Sequence, residues 1–291
     1  MTSPATAAAR PRVQGRRFCT AAQMDFVRPV NPVAGYVGGK KQLARRIITR
    51  IAEVEHSIYA EPFVGMGGVF LRRPSRPKVE AINDASRDVA TFFRILQRHY
   101  QAFLDMLRWQ VTSRAEFQRL AAQDPDTLTD LERAARFLYL QRLSFGGKVA
   151  SRSFGIDTNG PARFDITRLV PLLEAVHERL AGVWVDCLPW QEFIRRWDRP
   201  GALFYLDPPY WGTEHYYGRG LFGREQFAEL SATLQQVEGR FILSLNDVPE
   251  VRELFAWASI ETVELSYQAG GAENTRRVRE VLIARQGRLS V

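Results

Sequence analysis

Glu61-Pro62-Phe63-Val64-Gly65-Met66-Gly67-Gly68-Val69-Phe70 decides the fold of this 291-residue chain. Ser57 to Glu61 reads as a strand, and the glycines read as the turn from that strand into a helix. Residues without side chains let the backbone approach a ligand, and the amides of a helix N-terminus hold polar or anionic groups. A dinucleotide fingerprint would need a third glycine at position 70, which is Phe70, so the NAD pattern is incomplete. Glycines at such a turn also serve packing alone.

Working outward, Leu43, Ile47, Ile51 and Val54 recur at helical spacing and leave Arg45, Arg46 and Arg50 on other faces. Downstream, Val79 to Asp84 reads as a second strand, followed by a helical pattern at Val89, Phe92, Phe93 and Leu96. This alternation predicts a parallel sheet in an α/β domain. Asp84 ends the second strand 19 residues beyond Gly65, where nucleotide-binding sheets place a ribose-binding acid. A helix-capping Asp would read the same way. Residues 101–181 change character. Helices are expected at Phe103–Trp109, Arg114–Ala122 and Asp130–Leu143, the last opened by a Thr129/Glu132 capping box. A flexible basic loop or hairpin follows from Gly146-Gly147-Lys148 through Arg152, and then a helix at Ile166–Ala181. Strands return at Val183–Cys187, Leu203–Asp207 and Phe241–Asn246, with a helix at Arg224–Val237 between the last two. Ile260–Tyr267 and Glu280–Ala284 are expected to pair across a turn holding Arg276, Arg277 and Arg279.

The apolar run Ala202–Leu206 delivers Asp207-Pro208-Pro209-Tyr210. An acid, two rigid prolines and an aromatic fix groups around a flat ring. The Asp207 carboxylate and the Pro208 carbonyl would accept N–H bonds from an exocyclic amine while Tyr210 stacks on its ring. Trp211 to Gly218 follows, either as a lid over this site or as a surface connection.

Asp-Pro-Pro-Tyr, with Glu-Pro-Phe-x-Gly-x-Gly upstream, resembles the Dam-type, D12-class adenine-N6 DNA methyltransferases. Tyr36-Val37-Gly38-Gly39-Lys40 is similar to the family's aromatic-x-Gly-Gly-Lys element, Ile82-Asn83-Asp84 also fits, and the motif order agrees. The resemblance spans residue 26 to the C-terminus. It implies a Rossmann-like, seven-stranded α/β core over 25–100 and 182–291, a mainly helical DNA-recognition insertion over 101–181, and S-adenosylmethionine as cofactor. Spacing agrees: Gly65 to Asp207 is 142 residues, on the order of 50 more than three strand–helix units of roughly 30 each.

Residue by residue, the resemblance implies a cofactor site from Tyr36, Gly38, Gly39, Lys40, Glu61, Pro62, Phe63, Gly65, Gly67, Asp84 and Asp207. The catalytic group would be Asp207, Pro208, Pro209 and Tyr210. Lys148, Arg152, Arg276 and Arg277 are the expected DNA contacts. One departure stands out: where relatives carry Asp-Phe after the third strand, this chain reads Leu188-Pro189-Trp190-Gln191-Glu192.

The tetrapeptide also suits methyltransferases acting on RNA adenine, cytosine N4 or an amide side chain. Asp at position 207 favours adenine, and the insertion with the Gly-Gly-Lys element favours DNA. The alternative from another class is a silent DNA-binding protein on the same scaffold, which intact Asp207 and Asp84 argue against. Composition agrees with a globular protein, 45% hydrophobic and 25% charged. Net charge is +8, and Arg10, Arg12, Arg16 and Arg17 carry half of it in a segment, residues 1–24, expected to be a disordered basic extension. Cys19 and Cys187 form no zinc spacing, the four histidines share none, and P-loop and serine-hydrolase motifs are absent. Double-stranded DNA as partner, a monomer, no metal, no membrane span and a cytoplasmic location are the expectations. An unaccompanied, phage-related enzyme fits the absence of a cleavage motif.

Overall fold

The computed structural model describes residues 24–36, 40, 42–147, 149, 152–155, 160–214, 222–268 and 275–285. The 1–23 extension, Gly38, Gly39, Lys148 and residues 215–218 of the 211–218 loop lie outside the described residues, and of Arg276 and Arg277 only the backbone is described.

The elements in chain order are β1 (Asp25–Phe26), α1 (Ala44–Ala52), β2 (Ile58–Glu61), β3 (Ser75–Arg76), β4 (Val79–Asn83), α2 (Arg87–Arg98), α3 (Tyr100–Leu107), α4 (Arg114–Ala122), α5 (Asp130–Leu143), α6 (Ile166–Arg179), β5 (Trp184–Asp186), α7 (Trp190–Trp197), β6 (Ala202–Leu206), α8 (Glu225–Gln236), β7 (Arg240–Asn246), α9 (Pro249–Leu254), β8 (Ser259–Gln268) and β9 (Thr275–Ala284). Seven strands form one sheet in the order β5-β4-β2-β6-β7-β9-β8, with β9 antiparallel to both neighbours and the other pairings parallel. Counted along the chain, the sheet strands run 3-2-1-4-5-7-6. The order reverses between β2 and β6, where open α/β sheets leave a crevice beyond the strands' carboxyl ends.

Central strands buried on both faces read as continuous apolar runs, and β6 is buried at all five positions. Alternate side chains supply opposite layers. Leu203 and Tyr205 join Tyr59 and Ile82 in one core with α1, α2, α5 and α6, while Phe204 and Leu206 join Phe193, Phe227 and Phe255 beneath α7, α8 and α9. β4 turns Glu80 into a buried pair of arginines, Arg73 at 2.8 Å and Arg179 at 2.6 Å, which ties α6 to the sheet.

Two expectations change. No α-helix follows the glycine turn: residues 70–72 form one 3-10 turn, because Pro74 and Pro77 leave too few residues after Gly68 for a helix to propagate. Arg276, Arg277 and Arg279 lie within β9, opposite Tyr267, Ser266 and Glu264, and not in the turn. The alternating pattern that pairs Glu280–Ala284 simply continues back to Thr275.

Segment 101–181 is helical as expected, and the Thr129/Glu132 capping box opens α5. It has no core of its own. Phe92 of α2 meets Phe103 of α3 at 6.1 Å and Phe137 of α5 at 5.9 Å between ring centroids, inside the same cluster that reaches the sheet. Beyond α5 the chain forms a hairpin: Ser144 bridges Phe154, Phe145 N–H donates to Ser153 O at 3.0 Å, and Gly155 N–H donates to Leu143 O at 2.8 Å.

Candidate active site

Three acids arrive at the crevice from three adjacent strands: Glu61 ends β2, Asp84 follows β4 and Asp207 follows β6. They line one cavity of about 460 Å³, together with Tyr36, Lys40, Phe63, Gly65, Tyr205 and Phe222. That volume lies in the usual range for small-molecule sites.

Asp84 lines the cavity and is bonded to two backbone amides. Its Oδ2 accepts the Gly65 N–H at 3.0 Å and its Oδ1 accepts the Ser86 N–H at 2.9 Å, so it fastens the glycine turn while facing the cavity. Burial raises its pKa to about 6, partly offset by those two N–H bonds. Gly65 has φ +50°, and a Cβ there would lie 3.0 Å from the Tyr36 ring. The turn therefore needs glycine so that an aromatic can lie on it. Glu61 accepts a hydrogen bond from Tyr59 Oη at 2.8 Å, and burial lifts its pKa to about 8.

Asp207 is fixed from two sides. Lys40 Nζ lies 2.7 Å from its Oδ1, and Ser244 Oγ donates to the same oxygen at 3.0 Å, leaving Oδ2 for an incoming N–H. Burial raises its pKa to about 6, opposed by Lys40 and reinforced by Glu280. Lys40 is itself buried, lies 4.3 Å from the centroid of the Tyr210 ring and donates to Tyr210 Oη, which in turn donates to Glu280. Pro208 and Pro209 are buried, and the backbone of Trp211 is held by Asn246 at the end of β7 through 2.9 and 3.1 Å bonds.

Two expected positions, Pro62 and Gly67, sit behind the wall and not in it. The Pro62 carbonyl accepts from Asn83 Nδ2 at 3.0 Å, and a Cβ on Gly67 would lie 2.8 Å from Leu71 Cγ, so that glycine serves packing. Pro62, Gly67, Pro208 and Tyr210 are absent from the cavity lining. Trp190 begins α7, is buried behind Phe63 at 6.4 Å between ring centroids and donates to Gln226 at 3.2 Å. Arg152 is turned inward: its guanidinium reaches Gln141 Oε1 at 3.4 Å and lies 5.7 Å from the Phe137 ring. The antiparallel pairing of the hairpin legs directs it toward α5. The sequence reading missed Glu280, Tyr205, Arg142 and exposed Phe145. An acid in the otherwise apolar run Glu280–Ile283 was the available signal for the first.

No group of three metal-ligating side chains and no helix long and apolar enough to cross a membrane occurs among the described residues. The family model described as D12 class N6 adenine-specific DNA methyltransferase matches residues 36–269. A Type II methyltransferase M1.LlaDCHI from Lactococcus lactis subsp. cremoris is 23% identical, the alignment covering 89% of this chain and 96% of that protein. The DNA adenine methylase of Escherichia coli (strain K12) is 25% identical over 86% and 92% of the two chains. The DNA N-6-adenine-methyltransferase of Escherichia phage P1 is 25% identical over 76% of this chain and 30% of its own length. Among solved structures, precorrin 8w decarboxylase from Methanobacterium thermoautotrophicum gives a TM-score of 0.35 at 12% identity over 84% and 90% of the chains, too low to bear on the fold.

Proposed function

Since the chain belongs to the D12 class N6 adenine-specific DNA methyltransferase family, we propose that the cavity between β2 and β6 holds S-adenosylmethionine and that Asp207 receives the target amine. The observation that carries the reading is Asp207 itself, a partly buried carboxylate with one oxygen held by Lys40 and Ser244 at the cavity's edge. The residues fit the cofactor: Asp84 offers acceptors to ribose hydroxyls, Tyr36 and Phe63 offer faces to a purine, and the side-chain-free Gly65 leaves room for both. When bound, that cofactor supplies an electrophilic methyl group.

The protein's own part is to prepare the amine. The lone pair of an adenine N6 is delocalised into the ring, which makes it a weak nucleophile. Asp207 Oδ2 and the Pro208 carbonyl accept its two N–H bonds and draw the nitrogen toward tetrahedral geometry, localising the lone pair. The carboxylate then stabilises the positive charge that grows on nitrogen. The proton lost afterwards passes to solvent through Asp207, whose raised pKa suits a transient acceptor. A stacked adenine cannot reach this depth, so the base is flipped out of the duplex.

Segment 101–181 carries target recognition in this reading, with exposed Phe145, Arg163 and the hairpin facing DNA. Lys148, Arg276 and Arg277 supply phosphate contacts from positions whose side chains are not described. In this reading the enzyme acts as a monomer on DNA in the cytoplasm.

The test incubates the purified protein with labelled S-adenosylmethionine and unmodified duplex DNA, then identifies nucleosides by mass spectrometry. N6-methyladenine from the wild type and none from Asp207→Ala is the expected result. N4-methylcytosine would overturn the base assignment, and turnover retained in Asp207→Ala would overturn the catalytic one.

A further inference from the structure

Three separate parts of the chain meet on one buried side-chain amide, that of Gln141 in the last turn of α5. Its Nε2 donates to Gly35 O at 2.8 Å and to Gly147 O at 2.7 Å, using both N–H bonds, and its Oε1 accepts from Arg152 at 3.4 Å. Gly35 precedes Tyr36 in the cavity wall. Gly147 and Arg152 lie on the outgoing and returning legs of the 144–155 hairpin.

The contact between hairpin and wall is backbone against backbone. Gly147 has φ +68°, and a Cβ there would stand 2.9 Å from Gly35 C and Tyr36 N. Tyr36 in turn covers Gly65, whose N–H is held by Asp84. Close-packed contacts of this kind pass on displacements of a few tenths of an ångström, because no free volume absorbs them. Arg142 adds a parallel tie: it donates to Val33 O and to Arg163 O, both at 2.9 Å, and lines both the main cavity and a second concavity of about 230 Å³ with Ser144, Gly146 and Gly147.

We propose that Gln141 is a positioning residue that couples the DNA-facing hairpin to the cofactor cavity. Duplex on the hairpin holds Gly147 against Gly35 and so fixes Tyr36 over Gly65, while cofactor against Tyr36 holds the same contact from the other side. Linkage makes the effect reciprocal: each ligand tightens the other by one common factor. The proposal rests on the reading of the cavity as the cofactor site and of the hairpin as DNA-facing.

The experiment measures the S-adenosylmethionine dissociation constant by calorimetry with and without a saturating duplex oligonucleotide, and the duplex constant with and without cofactor. For the wild type, both ratios are expected near tenfold, within the usual range of coupling. Gln141→Met keeps the side chain's length, removes the amide, and is expected to bring both ratios close to one. Gly147→Ala forces the backbones apart from the other side and is expected to do the same, so the test survives if one variant fails to fold. Gln141→Asn, which keeps a shortened amide, is expected to recover part of the ratio. A purely structural role would weaken each affinity and leave the ratio at its wild-type value, and that result overturns the proposal. Wild-type ratios of one, with both ligands bound, overturn the coupling and leave the site reading intact. A wild type that binds neither ligand overturns both.

Discussion

Replacing Asp207 by Asn keeps the shape of the side chain and removes its charge. Asp207 Oδ1 holds Lys40 and Ser244, so the amide oxygen still has two donors to accept from, and the site should fold. What is lost is a negative acceptor aimed at a nitrogen that becomes positive only in the transition state. Removing one such preorganised group costs about 10²–10³ in rate, or roughly 3–4 kcal/mol. The loss belongs in the methyl-transfer step, read by single-turnover quench with preformed enzyme–duplex complex, while duplex affinity stays within about twofold. The wild-type rate carries a second signature. Asp207 must be ionised to accept, and its pKa is raised to about 6. The single-turnover rate should therefore be flat above pH 7 and fall about tenfold per unit once pH drops below 6. Asp207→Asn should lose that acid limb. A rate within tenfold of wild type for Asp207→Asn, or an unchanged acid limb, would refute the charge-based account.

Asp84→Ala removes the acceptor for two backbone N–H groups and releases the Gly65 turn. Hydrogen bonds to a charged group predict a cofactor affinity about 10–100-fold weaker, with little change in duplex binding, both read by calorimetry. Glu61 has its pKa raised to about 8 by burial. Its contribution to stability is complete below the unfolded-state value near 4.5 and is lost as pH rises toward 8. Glu61→Gln does not titrate, so its melting temperature relative to wild type should climb between pH 5 and 8 and level off above. A difference independent of pH would contradict the buried acid. In the hairpin region, exposed Arg163→Ala should lower the salt dependence of duplex binding by about one unit of slope. Inward-turned Arg152→Ala should leave the slope unchanged and lower thermal stability instead.

The motifs that name the chemistry are short, and each is set by local geometry, so they are legible in one dimension. Glu61 to Gly67 marks a strand running into a tight turn, Asp84 ends the next strand, and Asp207 to Tyr210 follows an apolar run buried on both faces. Periodicity located the sheet strands and the helices of 101–181 because buried layers impose it on the sequence. It misplaced the helix after the glycines, since two prolines beyond the turn mattered more than the turn itself. It also put Arg276, Arg277 and Arg279 in a loop, because charged residues at the end of a long strand resemble a turn.

Only the tertiary structure decided which polar groups meet. Lys40 and Glu280 are far apart in sequence, yet both reach Tyr210, because β9 slots in next to β7 at the crevice. The raised pKa values of Glu61, Asp84 and Asp207 likewise come from burial under layers contributed by distant segments. Gln141 looks in sequence like any polar residue near a helix end. It is a joint between hairpin and cavity wall because folding removes its amide from water, and a buried amide must find its partners in whatever backbone is packed against it.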